Sequence, residues 1–216
     1  MGVAMRVVVF GANGGVGRRA VQVAVGQGHQ VLAAARTAGA APPLVAPAVV
    51  DVRDAAAVRR AVEGADAVLW CVGVTRRSGP AVGAEGLLHV VAAMQEFGVT
   101  RLVTVSGAGV TLPGDRKGVG ARLVSGLTRR LAADLVTDKE AEHAVLAASD
   151  MAWTEVRPPR LTDGDTDLLR PEGWVLVERA PGLTAKPVAK TDVARAMLFL
   201  AGSRGWVRQS PFLVAR

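Results

Sequence analysis

Val7-Val8-Val9-Phe10-Gly11-Ala12-Asn13-Gly14-Gly15-Val16-Gly17-Arg18 is the stretch that decides the fold of this chain. Four apolar residues in a row read as a strand buried on both faces, which points to a parallel sheet. Glycines at 11, 14 and 17 follow, and a helical pattern then runs to about residue 27. A strand, a glycine-rich turn and a helix start, in that order, form the arrangement that receives a dinucleotide's diphosphate. Gly11 permits the sharp turn out of the strand, Gly14 lets the backbone approach the diphosphate with no Cβ between, and Gly17 lets the helix pack close on the sheet. The helix aims its unpaired N–H groups and positive dipole end at the anion. The spacing is G-x-x-G-x-x-G rather than the G-x-G-x-x-G of most dehydrogenases. Its weight comes from the strand before, the helix after and a second strand at 30–36; the alternative is a tight turn with no ligand.

At the end of that second strand stand Ala33, Ala34 and Ala35, then Arg36 and Thr37. A carboxylate there would bind the adenosine ribose diol and repel an extra phosphate. A guanidinium instead offers a fork of donors suited to a 2′-phosphate, so NADP(H) is expected over NAD(H); the alternative for Arg36 is an exposed loop arginine. Residues 38–47 read as an irregular, proline-bearing connection and 48–50 as a short strand. Asp51 at that strand end is placed to accept from the adenine amino group, with Val52 against the ring, and Asp54 reads as the N-cap of a helix over 55–63. A strand over 67–73 ends in Cys71-Val72-Gly73, small enough for the backbone to run beside a cofactor. No activating partner for Cys71 is apparent, so it reads as a core thiol.

Beyond a polar loop at 74–80, the spacing predicts a helix over 81–97, closed by Gly98, with His89 off its apolar stripe as a solvated histidine. A strand at 101–106 ends in Ser106-Gly107. Residues 110–128, rich in glycine and basic residues, read either as a flap over the site or as a plain loop. A helix over 129–148 carries Leu135, Lys139 and His143 on one broad face. Strands are expected at 152–156, 173–177 and 212–214, and a helix at 192–201.

Apolar residues make up 50% of the 216, yet no run approaches the roughly 18 of a membrane helix. The first strand follows almost at once on Met1, so no leader is expected, and the single cysteine forms no internal disulfide. A cytoplasmic protein with no membrane partner is the expectation. The net charge of +7 raises the question of nucleic acid. The basic residues are mostly scattered, with pairs at Arg76-Arg77, Arg116-Lys117 and Arg129-Arg130, and no basic run alternates with aromatics. A solvated arginine-rich surface that attracts an anionic cofactor accounts for them, and no nucleic-acid partner is expected. There is no tyrosine, which excludes any mechanism that needs a phenol as proton donor. No metal site is read, no exposed apolar stripe stands out and no oligomeric state follows. The whole is expected to be one α/β domain over 1–216, a Rossmann-type doubly wound parallel sheet with helices on both faces, its substrate side built from about 110–128 and 157–190.

With these pieces in order, the chain resembles the atypical short-chain dehydrogenase/reductase family. Within it, the likeness is to the NAD(P)H-binding group that includes NmrA-like proteins and biliverdin-IXβ/flavin reductases. The resemblance rests on Gly11-x-x-Gly14-x-x-Gly17, Arg36, Asp51-Val52, Glu85-Gly86, the strand from Arg101 to Ser106, and the run Lys139…Glu142…Leu146…Ser149…Trp153-Thr154…Arg157-Pro158-Pro159-Arg160-Leu161. It implies Gly11, Asn13, Gly14 and Val16 at the diphosphate, and Arg36 at the 2′-phosphate. It further implies Asp51 and Val52 at adenine, Cys71-Val72-Gly73 along the ribose and nicotinamide, and Pro158-Pro159 near the nicotinamide end. In the wider family a Tyr-x-x-x-Lys pair transfers the proton; Lys139 matches the lysine, and the tyrosine position is Leu135. Ser106 lies close to the family's serine, with Gly107 next.

Hydride transfer needs chiefly proximity and orientation in a dry pocket. Flavins, quinones and tetrapyrroles form anions on reduction that are stabilised internally or by solvent, so they do not depend on an enzymic phenol. An NADPH-dependent reductase of such a small-molecule acceptor is therefore the first expectation, with a non-catalytic NADP(H)-binding sensor of NmrA-like type as the alternative. Candidate catalytic groups are Ser106, Lys139, which either touches the cofactor or is a solvated lysine, and His143, which is either an acid or a helix-surface histidine.

Overall fold

The computed structural model describes residues 3–37, 45–75, 78–163, 173–182 and 184–216. In chain order the elements are β1 (Arg6–Phe10), α1 (Gly15–Gly26), β2 (Gln30–Ala35), β3 (Val45–Val49), α2 (Ala55–Val62), β4 (Ala67–Trp70), α3 (Val82–Glu96), β5 (Arg101–Val105), α4 (Val119–Leu131), α5 (Ala133–Ala148), β6 (Ala152–Val156), β7 (Leu161–Thr162), β8 (Trp174–Val177), β9 (Val188–Ala189), α6 (Lys190–Ala201) and β10 (Phe212–Ala215). Six strands form one sheet in the order β3-β2-β1-β4-β5-β6, every neighbouring pair parallel. This is the Rossmann-like doubly wound sheet expected from the sequence.

The pleat sorts the apolar residues into two layers. Val7 and Val9 of β1, Ala67 and Leu69 of β4, and Val103 of β5 pack on one face with α1 and α6. Val8, Phe10, Val68, Trp70 and Leu102 pack on the other with α2 and α3. That is why β1 shows no polar alternation: both of its faces are core. Strand order reverses between β1 and β4, and the crevice outside the carboxyl ends of those strands is where such a sheet receives a ligand.

Local signals act as expected at two ends. Asp54 accepts hydrogen bonds from the Ala56 and Ala57 amides and caps α2, and Gly98 closes α3 at φ +67°. The strand expected at 48–50 lies instead at Val45–Val49, with Pro47 inside it; β3 is an edge strand with only β2 beside it, so a missing N–H is tolerated. The remainder of the expected connection at 38–47, the pair Arg76-Arg77, and residues 164–172 and 183 of the expected substrate side lie outside the described residues.

The larger correction concerns 110–148. Residues 119–131 are helical, and the chain breaks at Ala132 (φ −141°, ψ 52°) before α5, so the expected helix over 129–148 is two helices and the expected flap or loop is half helix. Gly120 and Gly126 lower the intrinsic propensity of α4. Tertiary anchors override it. The buried Lys117 ammonium donates to the carbonyls of Ala108 and Val110 and to the hydroxyl of Ser125, and Arg157 grips Asp115 with two bonds of 2.6 and 2.7 Å.

Candidate functional site

The site begins with backbone. Phe10 delivers the chain to Gly11, whose φ is +74° and where a Cβ would stand 2.6 Å from the Cys71 carbonyl oxygen. The turn closes through the Gly14 amide on the Gly11 carbonyl, and α1 starts with the Arg18 amide on the Gly14 carbonyl. At Gly17 a Cβ would overlap the Gly11 carbonyl, so that residue sets the close approach of helix to turn. The α1 N-terminus has no side-chain cap and no acidic residue in its first turn. Its amides and its positive dipole end therefore face the crevice.

This crevice has a volume of about 710 Å³. Gly11, Asn13 and Gly14 form its floor, Arg36 and Thr37 one end, and Cys71, Val72 and Gly73 the opposite wall. The Asn13 amide donates to the Thr37 carbonyl and hydroxyl, which ties the glycine turn to the end of β2. Arg36 is exposed there. Of the residues expected at adenine, Val52 lines the crevice beside Val50, whereas Asp51 is engaged with Arg53 at 3.0 and 2.7 Å. That guanidinium holds the Asp51 carboxyl down at about 2. Val16 packs its side chain into the core beside α6, so only its backbone is near the turn. Cys71 reaches the crevice while its sulfur rests 4.0 Å from the Met197 sulfur, and burial pushes the thiol up to about 12. It stays a thiol near neutral pH.

A second cavity, about 410 Å³, adjoins Ser106, Leu135, Val136, Lys139 and Pro159, with Arg160 and Pro181 at its wall. Lys139 joins the two spaces. Its stem lines the second cavity, and its ammonium donates to the Val72 carbonyl at 2.8 Å, the wall of the first. Both Glu142 oxygens accept from the same ammonium at 2.8 Å. Lys139 is thus neither solvated nor at the surface. Burial pushes the Glu142 carboxyl up to about 7 despite the neighbouring ammonium, and the Asp138 carboxylate beside it adds to the rise. Asp138 itself accepts from the Gly83 and Ala84 amides and so caps α3 from another helix. The Ser106 hydroxyl is buried with no hydrogen-bond partner among the described residues, an orphaned polar atom beside a mostly apolar space.

Several expected site residues lie elsewhere. His143, one turn beyond Lys139, faces a separate cavity of about 390 Å³, where its Nδ1 meets Glu155 at 2.8 Å and its ring stands edge-on to Trp153. Glu155 also accepts from the Ser210 hydroxyl. His143 is therefore not brought together with Ser106 and Lys139, nor is it a free surface histidine. His89 too is engaged, its Nδ1 2.9 Å from the Val52 carbonyl. Pro158 is buried, and only Pro159 faces the second cavity. Two neighbours of the site received no role from sequence. Glu142 has a signal, its i+3 spacing from Lys139. Lys190 has none: it lies over the first turn of α1, 3.1–3.2 Å from where a Gly15 Cβ would stand, and pairs with Asp163 at 2.8 Å.

Against known proteins, a family model described as NAD(P)H-binding matches residues 11–203. The chain belongs to this NAD(P)H-binding family. Similar folds include ChuY, an anaerobilin reductase of Escherichia coli O157:H7, at 22% identity and TM-score 0.77 over 97% of each chain. A wide-type short-chain dehydrogenase/reductase of Veillonella parvula in complex with NADP is similar at 16% identity and TM-score 0.76, over 98% of this chain and 95% of that one. These likenesses bear on fold. An uncharacterized protein of Mycobacterium tuberculosis is 38% identical over 103 residues, 47% of this chain and 12% of that protein, so the match spans a small part of the curated relative. The crevice suits the family's ligand on this chain's own geometry. The glycine floor keeps the space clear of Cβ atoms, and the uncapped helix end and Arg36 supply positive potential where phosphates would rest. Among the described residues no helix is long and apolar enough to cross a membrane, and no group of His, Cys, Asp and Glu is set to hold a metal.

Proposed function

We propose that the protein is an NADPH-dependent reductase of a conjugated small-molecule acceptor of the flavin, quinone or tetrapyrrole kind. The observation that carries this reading is the lysine link: one ammonium lies between a phosphate-suited crevice and an apolar cavity, held from both sides. Gly11, Asn13, Gly14 and the α1 amides would hold the diphosphate, Arg36 the 2′-phosphate, Val52 the adenine, and Val72-Gly73 the nicotinamide half. Bound there, the cofactor supplies a hydride. The chain supplies position and a dry wall. Leu135, Val136 and Pro159 exclude water from the acceptor side. Ser106 offers its unpartnered hydroxyl to a polar edge of the acceptor. Lys139 stabilises negative charge that develops close to Val72, and Glu142 keeps that ammonium in place.

A leucine at the family's tyrosine position favours acceptors whose reduced anion needs no phenol. The same Leu135 favours a second reading, an NADP(H)-binding redox sensor without turnover. Incubation with NADPH and a panel of FMN, a benzoquinone and a linear tetrapyrrole separates the two, followed by loss of nicotinamide absorbance. The reductase reading expects oxidation with at least one acceptor and its loss in Lys139→Met. Tight NADPH binding with no oxidation across the panel supports the sensor instead.

A further inference from the structure

Helix α4 leaves one face bare. Val119, Leu123, Leu127 and Leu131 recur every fourth residue and are 75%, 66%, 58% and 76% exposed. With Val124 and Leu135 they make six of the eleven large apolar side chains exposed among the described residues, so the exposure is concentrated and not scattered. Only Ser125 of this helix is buried, tied to the Lys117 ammonium. The helix carries no acidic residue, and it is flanked by arginines. Arg122 and Arg130 make no hydrogen bond or ion pair among the described residues, whereas Arg129 pairs with Glu140.

We propose that α4 is a surface-lying helix that docks this protein on an anionic lipid bilayer. An apolar stripe bordered by unpaired arginines matches acyl chains below and anionic headgroups beside them. A second copy of the chain fits less well, because a two-fold axis through this face would set arginine against arginine. At 13 residues the helix spans about 20 Å, too short to cross a bilayer core of roughly 30 Å, so it lies in the interface. The expectation of no membrane partner followed from the absence of a spanning run, a test to which a helix of this kind is invisible. Val124 of this helix and Leu135 of α5 are both exposed and both line the cavity beside Lys139. An acceptor dissolved in the leaflet would thus meet the cavity mouth directly, a corollary that rests on the reductase reading, while the docking itself does not.

The test is co-sedimentation of the whole chain with vesicles of phosphatidylcholine alone and of phosphatidylcholine with phosphatidylglycerol, at low and at high salt. The expected result is partition at least about tenfold stronger to the anionic vesicles, weakening with salt. It should fall by about tenfold in the charge-neutral double variant Leu123→Asn/Leu127→Asn and again in Arg122→Gln/Arg130→Gln. NADPH titration of each variant, expected within about twofold of the parent, shows that the fold and the crevice persist. Equal partition to both vesicles, no partition, or anionic binding that survives loss of the two leucines would overturn the proposal. So would a dimer in sedimentation equilibrium that Leu123→Asn/Leu127→Asn dissolves without any vesicle binding by the parent. Because vesicle binding is read without an acceptor, its failure leaves the reductase reading standing, and the reverse holds too.

Discussion

The two cavities that meet at Lys139 are made of different material. The crevice at β1 and α1 is shaped by backbone: a left-handed Gly11, a close approach at Gly17 and an uncapped helix end. The acceptor side is shaped by side chains held by buried charge: Lys117 on four main-chain and hydroxyl oxygens, Arg157 on Asp115, and Lys139 on Glu142. Backbone shape costs little to keep once the glycines are in place. Buried charge is stable only while every partner is present. The first region should therefore respond to substitution in ligand affinity, and the second in folding stability.

The largest effect expected is at Arg157, which is buried, bonded twice to Asp115 and stacked 4.2 Å over Phe212. Arg157→Met leaves the Asp115 carboxylate only the Leu112 amide and the Lys117 ammonium 3.5 Å away, and should lower stability to denaturant by about 3 kcal/mol, with NADPH affinity nearly unchanged in the fraction that folds. At Gly14 the balance reverses. An added Cβ would stand 3.1 Å from the Gly11 carbonyl, tight but tolerable, and would project into the diphosphate space. Gly14→Val should weaken NADPH binding about a hundredfold, near 2.7 kcal/mol, with stability changed by less than about 1 kcal/mol. If instead Gly14→Val unfolds the protein and Arg157→Met abolishes binding, the division between the regions is wrong.

Glu142 sharpens the comparison by pH. Its carboxyl stands at about 7 when folded, above the ordinary carboxylate value, so the folded state binds a proton that the unfolded state has released. The stability that this group contributes is complete below its unfolded pKa and is lost as pH rises through about 7. Glu142→Gln lacks the titration. The stability gap between wild type and Glu142→Gln should therefore shift towards the variant by about 3 kcal/mol between acid and mildly alkaline pH, measured by urea unfolding. A gap that moves the other way would mean that the ionised pair with Lys139 dominates. The smallest effect is at the exposed Arg36, where Arg36→Ala should cut the preference for NADPH over NADH about tenfold and leave NADH binding alone.

The contrast also explains what could be read in the sequence. Around β1 the local pattern and the tertiary outcome coincide, because an apolar run flanked by spaced glycines has few other solutions, and Asp54 and Gly98 act through their nearest neighbours. The region from 110 to 148 departs from the expected single helix because its anchors are side-chain contacts that no local pattern displays, and one of them, Arg157, lies 42 residues from its Asp115 partner. The composition of α4 argues against a helix, and what fixes it is a lysine whose partners lie on either side of it in the chain. The apolar stripe of α4, where none was expected, has meaning only once the segment is helical. His143 and Lys139 share a helix face in the sequence pattern, yet β6 supplies Glu155 to one and the end of β4 supplies the Val72 carbonyl to the other.

One measurement decides whether this crevice holds the coenzyme: a crystal structure of the chain soaked in NADP⁺. The expected result is the diphosphate on the first-turn amides of α1, the 2′-phosphate against Arg36, and the nicotinamide beside Val72 with its reactive face towards the cavity of Ser106 and Leu135. A crevice that stays empty at saturating coenzyme, or a dinucleotide lying elsewhere with Arg36 untouched, would contradict it.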